Sequence, residues 1–341
     1  MPRLLDVHLH AIPQSYRAAL YEALGAAART PPWTPDLSIE MMDRRGIAAA
    51  ILSLSAPGPH LGDDAKAVAL ARICNDEAAG WVARHRRLGA FAALPLPNVE
   101  GACDEAIRAL DKLKLDGVGL LTSYEGAYLG DSRFDPLLRV LDYRAAVVLV
   151  HPGRHPSHGH IALGVPNFML EYPFETTRAA VSMVFADVLD RFPRIRFILS
   201  HGGGTLPFLA WRVATIAMRQ LSQPPDNERF LRDRHPTALT LRHEVVTAVM
   251  VIDLMRRFWF DVALTADRPG LGALLAFADP ERILFGSDWP YAYETVIEDQ
   301  MRSLTDPQIV PARDADRIAR ENAVSLFPRL APVWGDDGVS R

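Results

Sequence analysis

The chain has 341 residues, 49% of them hydrophobic, so it can bury a large core, and lengths of this order often form one α/β barrel. Acidic and basic residues nearly balance, 41 against 37, and the net charge of −4 argues against a nucleic-acid surface. Two cysteines without a disulfide framework, no visible signal peptide and no apolar run long enough to span a bilayer predict a cytoplasmic protein.

Short apolar runs alternate with amphipathic helical segments along the chain. Runs that are nearly continuous in apolar residues are typical of parallel strands buried on both faces. We predict eight strands, at Arg3–Leu9, Ala48–Leu54, Leu88–Leu94, Gly117–Thr122, Ala146–Val150, Arg196–Ser200, Trp259–Leu264 and Ile283–Gly286. Eight strands alternating with helices indicate a closed (β/α)8 TIM barrel. Residues 1–341 are predicted to form a single domain, with a small insertion at "LSQPPDNERF" before the seventh strand.

Histidine or aspartate stands at or just after the end of four of the predicted strands. His8 and His10 close the first strand in "DVHLH", His151 follows the fifth, His201 the sixth and Asp288 the eighth. The carboxyl ends of barrel strands share one rim, so these five side chains should converge there. His8 and His10 are two residues apart and should face the same side of their strand. Imidazole nitrogens with one carboxylate suit Zn²⁺, and the absence of cysteine argues against a closed structural zinc site.

The motifs "DVHLH", "VHP", "SHGGG" and "FGSDWP", taken together and in this order, resemble those of the amidohydrolase superfamily. Within it they are similar to the branch of aminocarboxymuconate-semialdehyde, γ-resorcylate and 6-methylsalicylate decarboxylases. This resemblance extends to about Asn322 and implies one divalent metal ion bound by four residues, with Zn²⁺ expected and Mn²⁺ as the alternative: His8, His10, His151 and Asp288. It implies no organic cofactor. The fourth strand, "GVGLLTSY", lacks the Lys or Glu that bridges two metals in binuclear members.

The resemblance implies a non-oxidative decarboxylase, a carboxy-lyase, acting on a small aromatic or dienoic carboxylic acid such as a hydroxybenzoate or methylsalicylate. We predict that Asp288 delivers a proton to the ring carbon and that His201 tunes that proton. The same site could instead serve a hydrolase of lactones or amides, because Zn²⁺ lowers the pKa of bound water towards ~7. A third alternative is an inactive metal-binding scaffold. The neighbouring motifs favour decarboxylation.

Three residues are candidates for substrate binding. Arg212 matches an arginine that reaches a neighbouring subunit's site in the family, so it either binds an anion or stabilises the homodimer that the resemblance implies. Tyr124 and Trp289 could pack against the substrate ring, although packing within the protein explains either residue as well.

The glycines after His201, Gly202–Gly204, would let their loop pass close to the metal and leave room for the substrate.

Other polar residues near these motifs lie outside the predicted set of metal ligands. The run "HPGRHPSHGH" places His155, His158 and His160 behind the fifth strand, and we expect them to face solvent because no acidic residues are adjacent. Asp6 precedes the His8 motif and either orients a ligand histidine or fixes the local backbone.

Overall fold

Ten strands are present in the computed structural model of the chain, which describes residues 4–25, 28–160, 163–221 and 246–334. In chain order they are β1 (Leu4–Ala11), β2 (Ile47–Leu54), β3 (Leu88–Ala93), β4 (Gly117–Leu121), β5 (Ser123–Tyr124), β6 (Ala127–Tyr128), β7 (Val147–His151), β8 (Arg196–Leu199), β9 (Trp259–Asp261) and β10 (Ile283–Leu284). Strands β5 and β6 form a small antiparallel hairpin. The other eight form one parallel sheet in the order β1-β2-β3-β4-β7-β8-β9-β10.

Backbone hydrogen bonds close this sheet into a barrel. The N–H of His10 donates to the carbonyl of Trp289 at 2.7 Å, and the N–H of Val7 donates to that of Phe285 at 3.0 Å. These bonds join β1 to the segment that continues β10. The predicted (β/α)8 barrel is therefore confirmed, and each predicted strand overlaps an observed one. The hairpin was not predicted.

Helices surround the barrel and occupy the connections between its strands. In chain order they are α1 (Gln14–Leu24), α2 (Pro35–Arg45), α3 (Asp64–Arg84), α4 (Val99–Ile107), α5 (Asp135–Tyr143), α6 (Asn167–Phe185), α7 (Val188–Arg191), α8 (Leu206–Leu221), α9 (Ala248–Met255), α10 (Arg268–Phe277), α11 (Glu294–Thr305), α12 (Ala312–Asp316) and α13 (Asn322–Leu326). Side chains such as Asp63 and Asn98 cap helix starts by accepting backbone N–H groups. Among the described helices, none is long and apolar enough to cross a bilayer.

The core has an inner and an outer layer, and β1 shows how the sequence assigns residues to each. Leu5 and Val7 belong to the cluster inside the barrel, which α13 and the residues after it cover at one end, whereas Leu9 packs in the outer layer against the helices. The register between β1 and β2 shifts between Asp6 and Leu9. This irregularity changes the phase of the alternation, so that His8 and His10 share the inner face with Val7.

Some predictions fall outside what the structure tests. The insertion before the seventh strand lies in residues 222–245, outside the described part of the chain. The single domain over residues 1–341 and the cytoplasmic location stay predictions.

Candidate metal centre

Five side chains converge at the carboxyl-terminal rim of the barrel. His8, His151, His201 and Asp288 each offer one ligand atom, all within 4.8 Å of one another, and all four residues are buried. The Nε2 atom of His10 lies 3.1 Å from Nε2 of His8 and 2.9 Å from Oδ1 of Asp288. The structure therefore brings together all of the residues predicted from the strand ends.

His8 is oriented by an acid at the end of a different strand. Its Nδ1 atom lies 2.8 Å from Oδ2 of Asp261, so the imidazole donates its Nδ1 proton and directs Nε2 towards the cluster. Burial alone would lower the pKa of His8, but the carboxylates of Asp261 and Asp288 together outweigh it and raise that pKa to about 10. The position of His8 therefore favours positive charge, and a metal ion at Nε2 would replace the proton there.

His151 and His10 are held as neutral imidazoles. The Nδ1 atom of His151 lies 2.9 Å from the carbonyl oxygen of Pro152, which can only accept, so Nδ1 donates and Nε2 keeps its lone pair. Burial and the neighbouring histidines lower the pKa of His151 well below its usual value. Burial also lowers the pKa of His10, whose Nδ1 atom lies 3.1 Å from the Ser53 hydroxyl. These rings suit a metal ion, which binds neutral imidazole.

Asp288 is the acidic member of the cluster and is ionised. Its Oδ1 atom lies 3.4 Å from Nε2 of His8, and its Oδ2 atom lies 3.7 Å from Nε2 of His201. Burial raises the pKa of this carboxyl, but the imidazoles of His10, His201 and His8 outweigh burial and hold it well below the usual range. The Asp288 backbone adopts a φ of 61°, which is uncommon for a residue other than glycine.

His201 lacks the partners that fix the other imidazoles. Its backbone N–H donates to Oδ1 of Asp261 at 3.0 Å. This hydrogen bond holds the His201 backbone at a φ of 55°. The ring is buried, yet neither nitrogen has a hydrogen-bond partner among the described residues. A buried polar group without a hydrogen-bond partner costs roughly 1–3 kcal/mol of folding free energy. We therefore expect a bound ligand to supply a partner for this ring.

The donor set fits a divalent metal ion. It combines a carboxylate with imidazole lone pairs, and Asp261 and the Pro152 carbonyl orient two of the rings from behind, as is usual around bound metals. The four residues whose ligand atoms all lie within 4.8 Å of one another include His201, whereas the predicted set has His10 in its place. Both sets share His8, His151 and Asp288.

The glycine run after His201 has a packing explanation. A Cβ atom on Gly204 would lie 1.9 Å from the carbonyl oxygen of Pro173 in α6, and one on Gly203 would lie 2.8 Å from the ring of Phe260 in β9. Both glycines also have positive φ, at 66° and 75°. These residues therefore let the loop between β8 and α8 pass directly against α6 and β9.

The three candidate substrate residues occupy different environments. Tyr124 is half-buried beside His151, and its hydroxyl accepts the N–H of Leu121 at 2.8 Å. Trp289 is 9% exposed and packs in the outer core layer, which favours a packing role. Arg212 is exposed on α8.

Sequence reasoning missed Asp261, which lies inside the predicted strand Trp259–Leu264 and is the last residue of the observed strand β9. It also left the role of Asp6 open. The structure shows that Oδ1 of Asp6 accepts the backbone N–H groups of His8 at 2.9 Å and Ser287 at 3.0 Å, so Asp6 fixes the backbone between β1 and the segment after β10. Burial raises the pKa of Asp6 to about 7. Tyr291 was also missed, and its ring centroid lies 5.3 Å from that of His10.

The expectation that the histidines after β7 face solvent is wrong for His158. This residue is 2% exposed, and its Nε2 atom lies 3.2 Å from Oε1 of Glu175 and 3.8 Å from Oε2 of Glu171. Both acids come from α6, which folds back over the histidine. His155 is half-buried and stacks on Tyr128, with ring centroids 5.2 Å apart. The side chain of His160 lies outside the described set.

Comparisons with known proteins agree with this geometry. A family model described as amidohydrolase matches residues 5–329. The chain is 38% identical to a 6-methylsalicylic acid decarboxylase of Aspergillus aculeatus, over 96% of both chains, and 35% identical to a 6-methylsalicylic acid decarboxylase of Penicillium expansum, over 96% of this chain and 97% of the relative. A solved structure named amidohydrolase II superposes with a TM-score of 0.82 at 27% identity, covering 95% of this chain and 99% of the other. The chain therefore belongs to the amidohydrolase family, in its branch of aromatic-acid decarboxylases.

Proposed function

We propose that this protein is a metal-dependent, non-oxidative decarboxylase of 6-methylsalicylate or a closely related 2-hydroxybenzoate. The observation that carries the proposal is the buried cluster of oriented imidazoles around Asp288, with the partnerless ring of His201 beside it. The two 6-methylsalicylic acid decarboxylases, which match almost the whole chain, support the choice of substrate.

The cluster divides into metal ligands and proton-transfer groups. We assign the ligands as His8, His10, His151 and Asp288, with Zn²⁺ as the first expectation and Mn²⁺ as the second. When bound, the ion supplies positive charge that orients the substrate carboxylate and its neighbouring hydroxyl and stabilises charge that develops on them.

Proton transfer falls to Asp288 and His201. The ring carbon that carries the carboxylate must gain a proton, and the electrons of the broken bond to CO₂ then return to the ring. Asp288 delivers that proton, and His201 resupplies Asp288 with a proton across the 3.7 Å between Nε2 and Oδ2. Resupply is needed because the low pKa of Asp288 keeps its carboxyl ionised at rest. The His201 ring has no hydrogen-bond partner among the described residues, so its nitrogens are available to bond to substrate oxygen.

A homodimer is the second part of the proposal. Phe208 and Trp211 on α8 are 83% and 67% exposed, next to Arg212. Apolar side chains in such a patch suit contact with a second copy of the chain, which would place Arg212 at the interface. Sedimentation velocity of the purified protein measures the mass of the particle directly, and a monomer at micromolar concentration would contradict the dimer.

The test of function is CO₂ release from 6-methylsalicylate, 2-hydroxybenzoate and 2,6-dihydroxybenzoate by the metal-loaded protein. In His8→Ala we expect turnover to fall at least ~1,000-fold and bound metal to be lost, because metal catalysis supplies several kcal/mol. The matched control is His85→Ala, which removes a half-buried histidine outside the cluster. Elemental analysis of the wild-type protein and His85→Ala identifies the metal, and analysis of His8→Ala measures its loss. Equal turnover by His8→Ala, or hydrolysis of lactones or amides without CO₂ release, would overturn the assignment.

A further inference from the structure

A small cavity adjoins the candidate metal centre on one side. Its walls come from the ends of β2, β3 and β4 and the loops after them, and include Leu54, Leu94, Leu96 and Leu121. Its volume is about 20 Å³, which is enough for one small group. Among the described residues that line it, none has a charged side chain, and the polar side chains are those of Ser53, Tyr124 and His151.

These polar groups connect the cavity to the centre and are themselves already engaged. His151 belongs to the cluster and also lines the cavity. The Ser53 hydroxyl lies 3.1 Å from Nδ1 of His10, and the Tyr124 hydroxyl accepts the N–H of Leu121. A substrate whose polar edge faces the cluster would therefore meet apolar surface on this side.

The shape of a 2-hydroxybenzoate matches this division. Its carboxylate and hydroxyl occupy adjacent ring positions, and both are suited to the imidazole and metal side of the site. The remaining position next to the carboxylate, C6, lies on the opposite side of that group from the hydroxyl. A substituent at C6 therefore points away from the hydroxyl while staying close to the reacting carbon.

We infer that the cavity holds the alkyl group at C6 of the substrate and selects 6-alkyl-2-hydroxybenzoates over unsubstituted or 2,6-dihydroxylated acids. A methyl group gains by leaving water for an apolar pocket, whereas a hydroxyl there would lose its hydrogen bonds to water. This inference rests on the proposed function and names the feature that sets its specificity.

Leu121 lines the cavity and lies between two loops. A Cβ atom on Gly58 would lie 3.5 Å from the Leu121 side chain, and one on Gly153 would lie 3.4 Å from it. The loops after β2 and β7 thus flank Leu121 closely, so a larger side chain at this position would extend into the cavity. Leu121 is half-buried, which makes substitution there tolerable for folding.

The test compares kcat/KM for 6-methylsalicylate, 6-ethylsalicylate and 2-hydroxybenzoate. For the wild-type protein, kcat/KM should be roughly 10-fold or more higher for 6-methylsalicylate than for 2-hydroxybenzoate. This is the selectivity that a pocket usually gains from contact with one additional carbon of the substrate. Leu121→Phe and Leu54→Phe should lose most of this preference, because kcat/KM should fall much more for 6-methylsalicylate than for 2-hydroxybenzoate. Leu121→Ala should shift the preference towards the ethyl compound. The control Leu24→Phe makes the same change at a residue that is 49% exposed, and should keep the wild-type ratios.

Inhibition by the products gives a second measure that does not depend on the variants folding. With the wild-type protein, 3-methylphenol should inhibit more strongly than phenol, again by roughly 10-fold. Equal inhibition by the two phenols, or unchanged substrate ratios in Leu121→Phe, Leu54→Phe and Leu121→Ala, would overturn the cavity assignment while leaving decarboxylation intact. If the wild-type protein releases CO₂ from none of the acids, the proposed function fails and this inference falls with it.

Discussion

The two halves of the barrel rim present different side chains. The polar half of the rim is formed by the ends of strands β1 and β7–β10 and the residues that follow them. It consists of His8, His10, His151, His201, Asp261 and Asp288. Strands β2–β4 end in the apolar half, which consists of Leu54, Leu94, Leu96, Leu121 and Tyr124 around the small cavity. One continuous sheet therefore separates groups suited to chemistry from groups suited to selecting a substrate.

The halves also differ in what they cost the fold. In the polar half, His201 and Asp288 have positive φ, at 55° and 61°, and the His201 ring is buried without a hydrogen-bond partner among the described residues. In the apolar half, the positive φ of 78° in the loop after β2 falls on Gly58, where it carries little strain, and a single residue other than glycine among those described there, Glu125 next to Tyr124, has a positive φ, at 50°. Backbone strain and unsatisfied buried polar groups are found mainly at functional sites. Substitutions in the polar half should therefore affect turnover more than the free energy of unfolding.

His201→Asn should give the largest effect among the substitutions that keep the metal. We expect kcat to fall roughly 10²- to 10⁴-fold, the usual contribution of a positioned acid–base group, while bound metal stays unchanged. Stability should change little, since the buried imidazole has no hydrogen bond to lose. Stopped assays of CO₂ release and elemental analysis measure both quantities.

The matched control is His158→Asn, because His158 is also buried but pairs with Glu175. That variant should lose roughly 1–3 kcal/mol of unfolding free energy and keep its kcat. Full turnover by His201→Asn with metal bound would show that His201 takes no part in proton transfer. It would also count against the assignment of the chemistry to the polar half of the rim.

Asp261→Asn should have an intermediate effect, since Asp261 acts through its neighbours. Its carboxylate holds Nδ1 of His8 at 2.8 Å and the backbone N–H of His201 at 3.0 Å. Loss of such an outer partner typically weakens metal affinity by roughly 10- to 100-fold. Competition with a chelator measures this affinity, and excess metal should restore most of the CO₂ release. Asp314→Asn alters another buried carboxylate, in α12, and should leave affinity unchanged. Unchanged affinity in both variants would limit Asp261 to a structural role.

The polar half could be read from the sequence to a large extent. Each barrel strand is buried on both faces, which leaves an apolar run that a sequence can show, and a histidine at the end of such a run stands out. Asp261 was missed because "WFDVALTAD" has an acid on either side of its apolar centre and nothing local singles out the first. Its partners, His8 and His201, lie far away in the chain and become neighbours only when the barrel closes.

The apolar half and the loop after β7 could not be read in this way. The cavity depends on how closely two loops approach Leu121, and an apolar residue gives the same signal whether it fills a core or leaves a gap. His158 was expected in solvent because its acidic partner Glu175 lies 17 residues further on, in α6. Such contacts depend on the packing of a helix against a loop, which local sequence patterns do not record.

Tyr124→Phe should give the smallest effect and distinguishes packing from substrate contact in the apolar half. The hydroxyl accepts the N–H of Leu121 at 2.8 Å, so its removal should cost about 1 kcal/mol of unfolding free energy, measured in urea. Because the ring remains in the cavity wall, the ratio of kcat/KM for 6-methylsalicylate and 2-hydroxybenzoate should not change. Tyr143→Phe, at a residue that is 74% exposed, should alter neither quantity. A changed substrate ratio at unchanged stability would mean that the hydroxyl contacts the substrate, and the apolar half would then contain a polar recognition group.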